Sequence, residues 1–429
     1  MQAVLDALKK TPARLYSIIA VEAISSFGSF FTFIASMALY IELTGDVSTW
    51  FWVPLVKAVI PLLVSPLTLK ILKHQKACVS TGCILALNIL AISILASFPT
   101  LHVFFGVIAF MAWLETLSQP FFRQWASEQV PEEDLLNYNI TGETLRWVLF
   151  TIALGCSGLV TAHFKAFACY WVDVGATTLA FALWWWVHKK LSVPRFTSNA
   201  LMEGVQGKTL KTGVFAVFQN ARWDLLFGTP LVTTLCFTYW AMNTISAFQG
   251  GLALPFVQEN GWKPEVTHAS YMYAMLALGG LIAFTLQQDK KIKQALNTAS
   301  LTLLTIMIAL DATGAAGKVL AMSNFPLVLG IQAIFGAVIM FLNAMLNTRL
   351  QRQAGPEHTG EVFGILVTVQ KSLRIFGYAG AGLMLKFVPW GGHWGFLLSS
   401  ALEFGVVLSI LIAQRIQKGQ ASSHTKDPA

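Results

Sequence analysis

Charge is what the sequence has least of. Asp, Glu, Lys and Arg make up 12% of its 429 residues, whereas a soluble domain carries roughly 25%. With 55% hydrophobic residues and a mean hydropathy of +0.62, the chain excludes a soluble globular fold and reads as an integral membrane protein. Catalytic signatures are missing as well. There is no His-Glu-x-x-His and the 8 histidines are dispersed, which argues against a membrane metalloenzyme. The 5 cysteines, Cys78, Cys83, Cys156, Cys169 and Cys236, are scattered through apolar segments without metal-type spacing and read as small buried residues. The string "GVQGKTLKTG" (Gly204 to Gly213) has its glycines too close together for a phosphate loop, and no strand precedes it. The expectation is a protein that is not an enzyme and carries no metal or cofactor.

What is abundant is apolar sequence, in runs of about 20 residues, each enough to cross a hydrocarbon core of about 30 Å. Polar punctuation separates twelve such spans, at 15–41, 50–71, 77–98, 101–122, 138–161, 167–188, 223–256, 267–287, 295–312, 324–346, 361–386 and 392–414. A spanning segment must satisfy its backbone internally, so the predicted fold is an all-α bundle of transmembrane helices. The first run is too long for the apolar core of a signal peptide and is taken as span one. The tail after Arg415 is short and polar, and is expected to be disordered.

The cations sort by side. With the N-terminus inside, 21 of the 29 Lys and Arg residues fall in cytoplasmic segments, and 4 fall outside: Lys165, Lys263, Lys318 and Lys386. That asymmetry predicts both termini in the cytoplasm. The net charge of +8 is thereby a topology signal, not a nucleic-acid footprint. Four cations remain inside spans: Lys57, Arg146, Lys371 and Arg374.

The chain also repeats itself. "ISSF" (Ile24 to Phe27) in span one matches "ISAF" (Ile245 to Phe248) in span seven. "RQWASEQVPEED" (Arg123 to Asp134) after span four matches "RLQRQAGPEHTG" (Arg349 to Gly360) after span ten. The shared offset of about 221 to 225 residues divides the chain into halves. These are an N-terminal six-helix bundle, 1–188, a basic cytoplasmic loop, 189–222, a C-terminal six-helix bundle, 223–414, and a cytoplasmic tail, 415–429.

Two six-helix repeats with a basic central loop and basic clusters after spans two and eight resemble the major facilitator superfamily, over essentially the whole chain. The segments "QPFFRQWASEQVPEEDLLNYN" (Gln119 to Asn139) and "YWVDVGATTLAFAL" (Tyr170 to Leu183) resemble the macrolide and enterobactin (siderophore) exporter subgroup, and more distantly the lysophospholipid transporters. The loop after span two, "SPLTLKILKHQK" (Ser65 to Lys76), lacks the Asp of the superfamily's Gly-x-x-x-Asp-Arg pattern. The resemblance implies helices 1, 2, 4, 5, 7, 8, 10 and 11 around a central cavity, with substrate held near the midplane.

Ionisable groups inside spans are costly and mark functional candidates. The offset aligns Lys371 with Arg146; they lie roughly 15 Å and roughly 12 Å into their spans. In "NITGETLRWV" (Asn139 to Val148), Glu143 shares a face with Arg146 and can pair with it locally. No acid occurs in "TVQKSLRIFGYAGAG" (Thr368 to Gly382), so Lys371 and Arg374 are expected to meet a substrate anion or a carboxylate from the other half. Lys57 lies between Pro54 and Pro61, where its stem can also snorkel outward. Tyr239, Trp240, Asn243, Thr368 and Tyr378 complete the candidate substrate-binding set.

Glu22, with Ser25, Ser26 and Ser29 on the following turns, is the first candidate for proton coupling, because a carboxylate in low dielectric can take up and release a proton. Glu115 and Glu143 follow. Asp173 and Glu403 fall on helices 6 and 12 and are read as structural. The expectation is a monomeric, proton-coupled secondary transporter of the bacterial inner membrane. It would export an anionic or amphipathic small molecule, such as a siderophore or drug, among membrane lipids and without nucleic acid. Import of a siderophore or nutrient, and lysophospholipid transport, are the alternatives.

Overall fold

The computed structural model describes residues 13–74, 77–129, 132–191, 227, 230–286, 301–321 and 324–424. Ten helical elements follow one another: α1 (Ala13–Thr44), α2 (Trp52–His74), α3 (Ala77–Ser97), α4 (Leu101–Gln129), α5 (Glu132–Leu191), α6 (Pro230–Glu259), α7 (Glu265–Leu286), α8 (Leu301–Leu320), α9 (Phe325–Phe387) and α10 (Gly391–His424). No strand occurs among the described residues. Most of the predicted central loop, and the last residues of the tail, lie outside them.

Ten elements stand for twelve expected spans because two of them double back. Within α5 the backbone reverses at Lys165, whose φ of 64° and ψ of 174° leave the helical region. Cys169 Sγ beyond the reversal comes within 3.6 Å of Ser157 O before it. Inside α9, Phe335 lines a cavity with Asn243, and Gln370 donates a hydrogen bond to that same Asn243. Phe335 and Gln370 would stand roughly 50 Å apart on a straight helix, so α9 folds back between them. Among the described residues, six segments are long and apolar enough to cross a membrane, and one of them, Leu145–Lys189, contains the reversal at Lys165. The chain is a multi-pass helical membrane protein.

The chain forms two compact units, one of Met1–Asn220 with Gly261–Leu278, the other of Ala221–Asn260 with Gly279–Ala429. In the first, α1 packs most extensively on α5. Its core gathers Ile18, Val21, Leu114, Phe121, Trp125 and Trp184, and Trp184 Nε1 donates to Cys78 O at 2.9 Å. In the second, α6 packs on α9 and α10, and α8 on α10. Ser400 Oγ on α10 donates to Ala312 O on α8 at 2.8 Å. The outward face of α10 carries Leu402, Leu408, Leu411 and Ile412 in the open, as suits a helix in hydrocarbon.

A carboxylate holds the start of α10. Glu259, ending α6, accepts from the backbone N–H of Gly392 at 2.8 Å and of His393 at 3.0 Å, and lies 2.6 Å from His393 Nδ1. The first N–H groups of a helix have no partner within it, and their positive end favours an anion.

Small residues let helices approach where hydrophobic driving force is weak. A Cβ at Gly377 on α9 would strike Thr244 O and stand 2.9 Å from Ala247 Cβ on α6. Gly377→Val is therefore expected to lower the thermal midpoint by several degrees, through an overpacking cost of about 1–3 kcal/mol. Gly175→Ala, with nothing within 4 Å, leaves it unchanged; thermal unfolding in detergent compares the two.

Candidate functional site

Among its described residues, the second unit buries two carboxylates and a lysine. Asp311 on α8 is 2% exposed, Lys318 on α8 1%, and Glu403 on α10 1%. Lys318, expected beyond the end of span nine at 312, lies within α8, which continues to Leu320. The apolar run of span nine is broken at Asp311, and reading the span to its end there pushed Lys318 past it. Its ammonium instead lies 4.0 Å from the ring centroid of Phe335 and 5.1 Å from that of Phe396. Aromatic faces attract a desolvated cation.

Glu403 is anchored on one oxygen only. Its Oε1 accepts from Gln249 Nε2 on α6 at 2.8 Å, and the same amide nitrogen reaches Ser399 Oγ at 3.0 Å. Its Oε2, with Asp311 Oδ1 and Gln332 Oε1, is buried without a hydrogen-bond donor. A cavity of about 40 Å³ opens among Asn243, Ser246, Asp311, Phe335, Ile339 and Glu403. Such a space admits a water or two, but no organic substrate.

Beside it, polar groups tie α6 to the C-terminal part of α9. Tyr239 Oη donates to Gln370 Oε1 at 3.0 Å, and Gln370 Nε2 donates to Asn243 Oδ1. Asn243 Nδ2 donates to Tyr239 O at 2.8 Å. Trp240 Nε1 reaches Leu366 O at 3.1 Å. Gln370 is thus the centre of a site in which Tyr239, Trp240 and Asn243 all take part, and the sequence reading passed over it. Its position next to Lys371 was the available signal.

Arg374, half-buried, donates from Nη2 to Tyr378 Oη at 3.0 Å and sits 5.8 Å from that ring's centroid. Lys371 is exposed. Among the described residues no carboxylate pairs with either. The side chain of Thr368 lies outside the described residues.

In the first unit, Asp173 is fully buried. Thr32 Oγ1 on α1 donates to its Oδ2, and Thr177 Oγ1 to its Oδ1 at 2.9 Å. A Cβ at Gly28 would strike Asp173 Oδ1, so glycine is what allows the carboxylate to lie against α1. Lys57 is half-buried. Glu22 and Arg146 are half-buried and each has a partner. Glu115 is exposed. The side chain of Glu143 lies outside the described residues. No group of three or more His, Cys, Asp or Glu suited to a metal occurs among the described residues.

The family model of the Major Facilitator Superfamily matches residues 82–378, more than half of the chain. Among solved structures, the nucleoside transporter NupG aligns with a TM-score of 0.64 at 10% identity, covering 94% of this chain and 99% of that one. The POT family transporter PepTSo aligns with a TM-score of 0.67 at 12% identity, covering 97% and 99%. A POT family transporter in complex with 5-aminolevulinic acid aligns with 0.62 at 14%, covering 94% and 96%. At such identities the likeness is one of fold. A comparison with curated protein sequences finds no match.

The anchoring of Glu403 is open to a direct check. Gln249→Leu removes the donor to a buried carboxylate, which costs about 1–3 kcal/mol or more for a charged group. The thermal midpoint is expected to fall by several degrees, whereas Gln249→Glu, which presents a second carboxyl to the first, is expected to recover stability as the pH is lowered.

Proposed function

Because the chain belongs to the major facilitator superfamily, and is therefore a membrane transporter of small molecules and not an enzyme, we propose that it exports an anionic or amphipathic organic molecule in exchange for protons. The observation that carries this reading is Arg374. A half-buried guanidinium on a membrane helix, bonded to the Tyr378 hydroxyl and paired with no carboxylate among the described residues, is a standing site for an anion, since an intramembrane cation calls for a countercharge. Lys371, one turn away, adds a second charge that can turn toward the same anion. A siderophore or an acidic drug fits such a pair: its carboxylate or hydroxamate oxygens would take the fork of Arg374.

Tyr239, Trp240 and Asn243 on α6, Thr368 on α9 and Tyr378 would shape the apolar remainder of the site, and Lys57 and Arg146 are the substrate-binding candidates of the first unit. In this reading Glu22, Glu115 and Glu143 are the carboxylates that exchange protons during the cycle. The protein would work as a monomer in the bacterial inner membrane by alternating access, with both termini cytoplasmic. Its six-helix halves, 1–188 and 223–414, would be linked by the cytoplasmic segment 189–222 and followed by a cytoplasmic tail, 415–429.

Flux into and out of proteoliposomes under an imposed pH gradient, with labelled siderophores, acidic drugs and lysophospholipids, tests the proposal. Export driven by an inward proton gradient is expected. Arg374→Gln is expected to lower the rate at subsaturating substrate about tenfold, the equivalent of roughly 1.4 kcal/mol, and Lys371→Gln to lower it less. Lys386→Gln, at an exposed lysine near the end of α9, leaves it unchanged. Movement that ignores the pH gradient would remove the antiport reading; accumulation in the opposite direction would make the protein an importer.

A further inference from the structure

The buried charges of the second unit do not balance. Asp311 and Glu403 bring two negative charges and Lys318 one positive, and all three are shut off from water. From the elements packed around them no further charge arrives among the described residues. α6 offers Asn243, Ser246 and Gln249, and α9 offers Gln332, Phe335 and Ile339, all neutral. Lys318 does not close the gap by contact either, because its ammonium rests on the rings of Phe335 and Phe396 and forms no ion pair within 4.0 Å of either carboxylate. One negative charge is therefore left in apolar surroundings, where an unpaired ion is costly.

The unpartnered atoms say what is missing. Asp311 Oδ1 and Glu403 Oε2 are buried acceptors without donors, and both residues line the same cavity. Gln332 Oε1, one turn of α9 from Phe335, is a third such acceptor. Asn243 and Ser246 also line it. The open oxygens of Asp311 and Glu403 call for a positive partner, and about 40 Å³ of space holds a proton with a water, or a small dehydrated ion, and nothing larger.

We propose that Asp311 and Glu403 form a binding site for one monovalent cation, a proton or a sodium ion, within the second unit, with Lys318 as its fixed countercharge. A divalent ion would overshoot, leaving one positive charge in place of one negative. Occupancy is communicated outward by hydrogen bonds. Asn243 lines the cavity and is held by Gln370, which also receives Tyr239 and immediately precedes Lys371. A cation arriving at Asp311 draws on Asn243 and so reaches the segment that carries Lys371 and Arg374. That link to transport rests on the transporter reading above; cation binding itself does not.

The test uses purified full-length protein in detergent with choline chloride as the background salt. Acidification or sodium chloride is expected to raise the thermal midpoint of the wild type saturably, since a ligand that binds only the folded state stabilises it. Asp311→Asn and Glu403→Gln are expected to lose that rise. A sodium site responds to sodium chloride at alkaline pH, and a proton site responds to pH alone.

Should the variants fail to fold, the wild type answers by itself. An apolar carbodiimide, which attacks protonated buried carboxyls, is expected to modify Asp311 or Glu403, read by peptide mass spectrometry. Modification should fall severalfold on alkalinisation at a proton site, or on adding sodium at a sodium site. A wild-type midpoint indifferent to both ions, variants that keep its full response, or modification of neither residue would each overturn the proposal. Cation binding without flux in proteoliposomes would defeat the transporter reading and leave the site standing. Proton-driven flux undiminished in folded Asp311→Asn and Glu403→Gln would leave the transporter reading standing and remove the site's link to transport.

Discussion

Removing a charge from water costs more than almost anything else a helix bundle in hydrocarbon must meet, and the internal design of this protein follows from that cost. Asp173 is met by two threonine hydroxyls and by the space at Gly28. Glu259 is met by two backbone N–H groups and His393. Lys318 is met by aromatic faces. In each case the partner lies on another helix or beyond a reversal of the chain, or on the following turn, so satisfying the charge also sets which helices touch. Apolar packing alone would leave many registers nearly equal in energy; a buried carboxylate with one hydroxyl to reach removes most of them.

The two units use this constraint differently. In the first, Asp173 joins α1 to α5 and both its oxygens are occupied, which is the arrangement of a fixed strut. In the second, Glu403 is occupied on one oxygen and open on the other. A half-satisfied carboxylate beside a cavity has room for one more partner, whereas a fully satisfied one has none.

Much of the helical architecture was legible in the sequence, because the membrane simplifies the code: apolar length reports a crossing. The break before Ala166 was visible as a polar interruption, and Lys165 takes up the reversal. The boundary at Asp311 misled for a physical reason. A carboxylate ends an apolar run when the run is read alone, but α8 continues through it because Glu403, Gln249 and the rings of Phe335 and Phe396 come from three other stretches of chain. Sequence windows carry no information on what a neighbouring helix will supply. Gln370 escaped notice in the same way, as a neutral amide whose importance lies wholly in reaching Tyr239 and Asn243 at once. By contrast Tyr239, Trp240 and Asn243 were candidates from the sequence, and all three engage the C-terminal part of α9. The arginine and lysine of that helix were legible as misplaced charges, whereas Tyr378, read as a substrate-binding candidate, also receives Arg374.

The attachment of Glu259 to the first turn of α10 has a mechanical meaning. Two backbone N–H groups and an imidazole converge on one carboxylate at the junction of α6 and α10, so α10 cannot slide along its axis by a residue without tearing all three contacts together. A few turns on, Ser400 bonds to Ala312 O on α8 and Glu403 accepts from Gln249 on α6. Held at its first turn and again along its length, α10 keeps its register, and the carboxylate at position 403 stays at a fixed height beside the cavity.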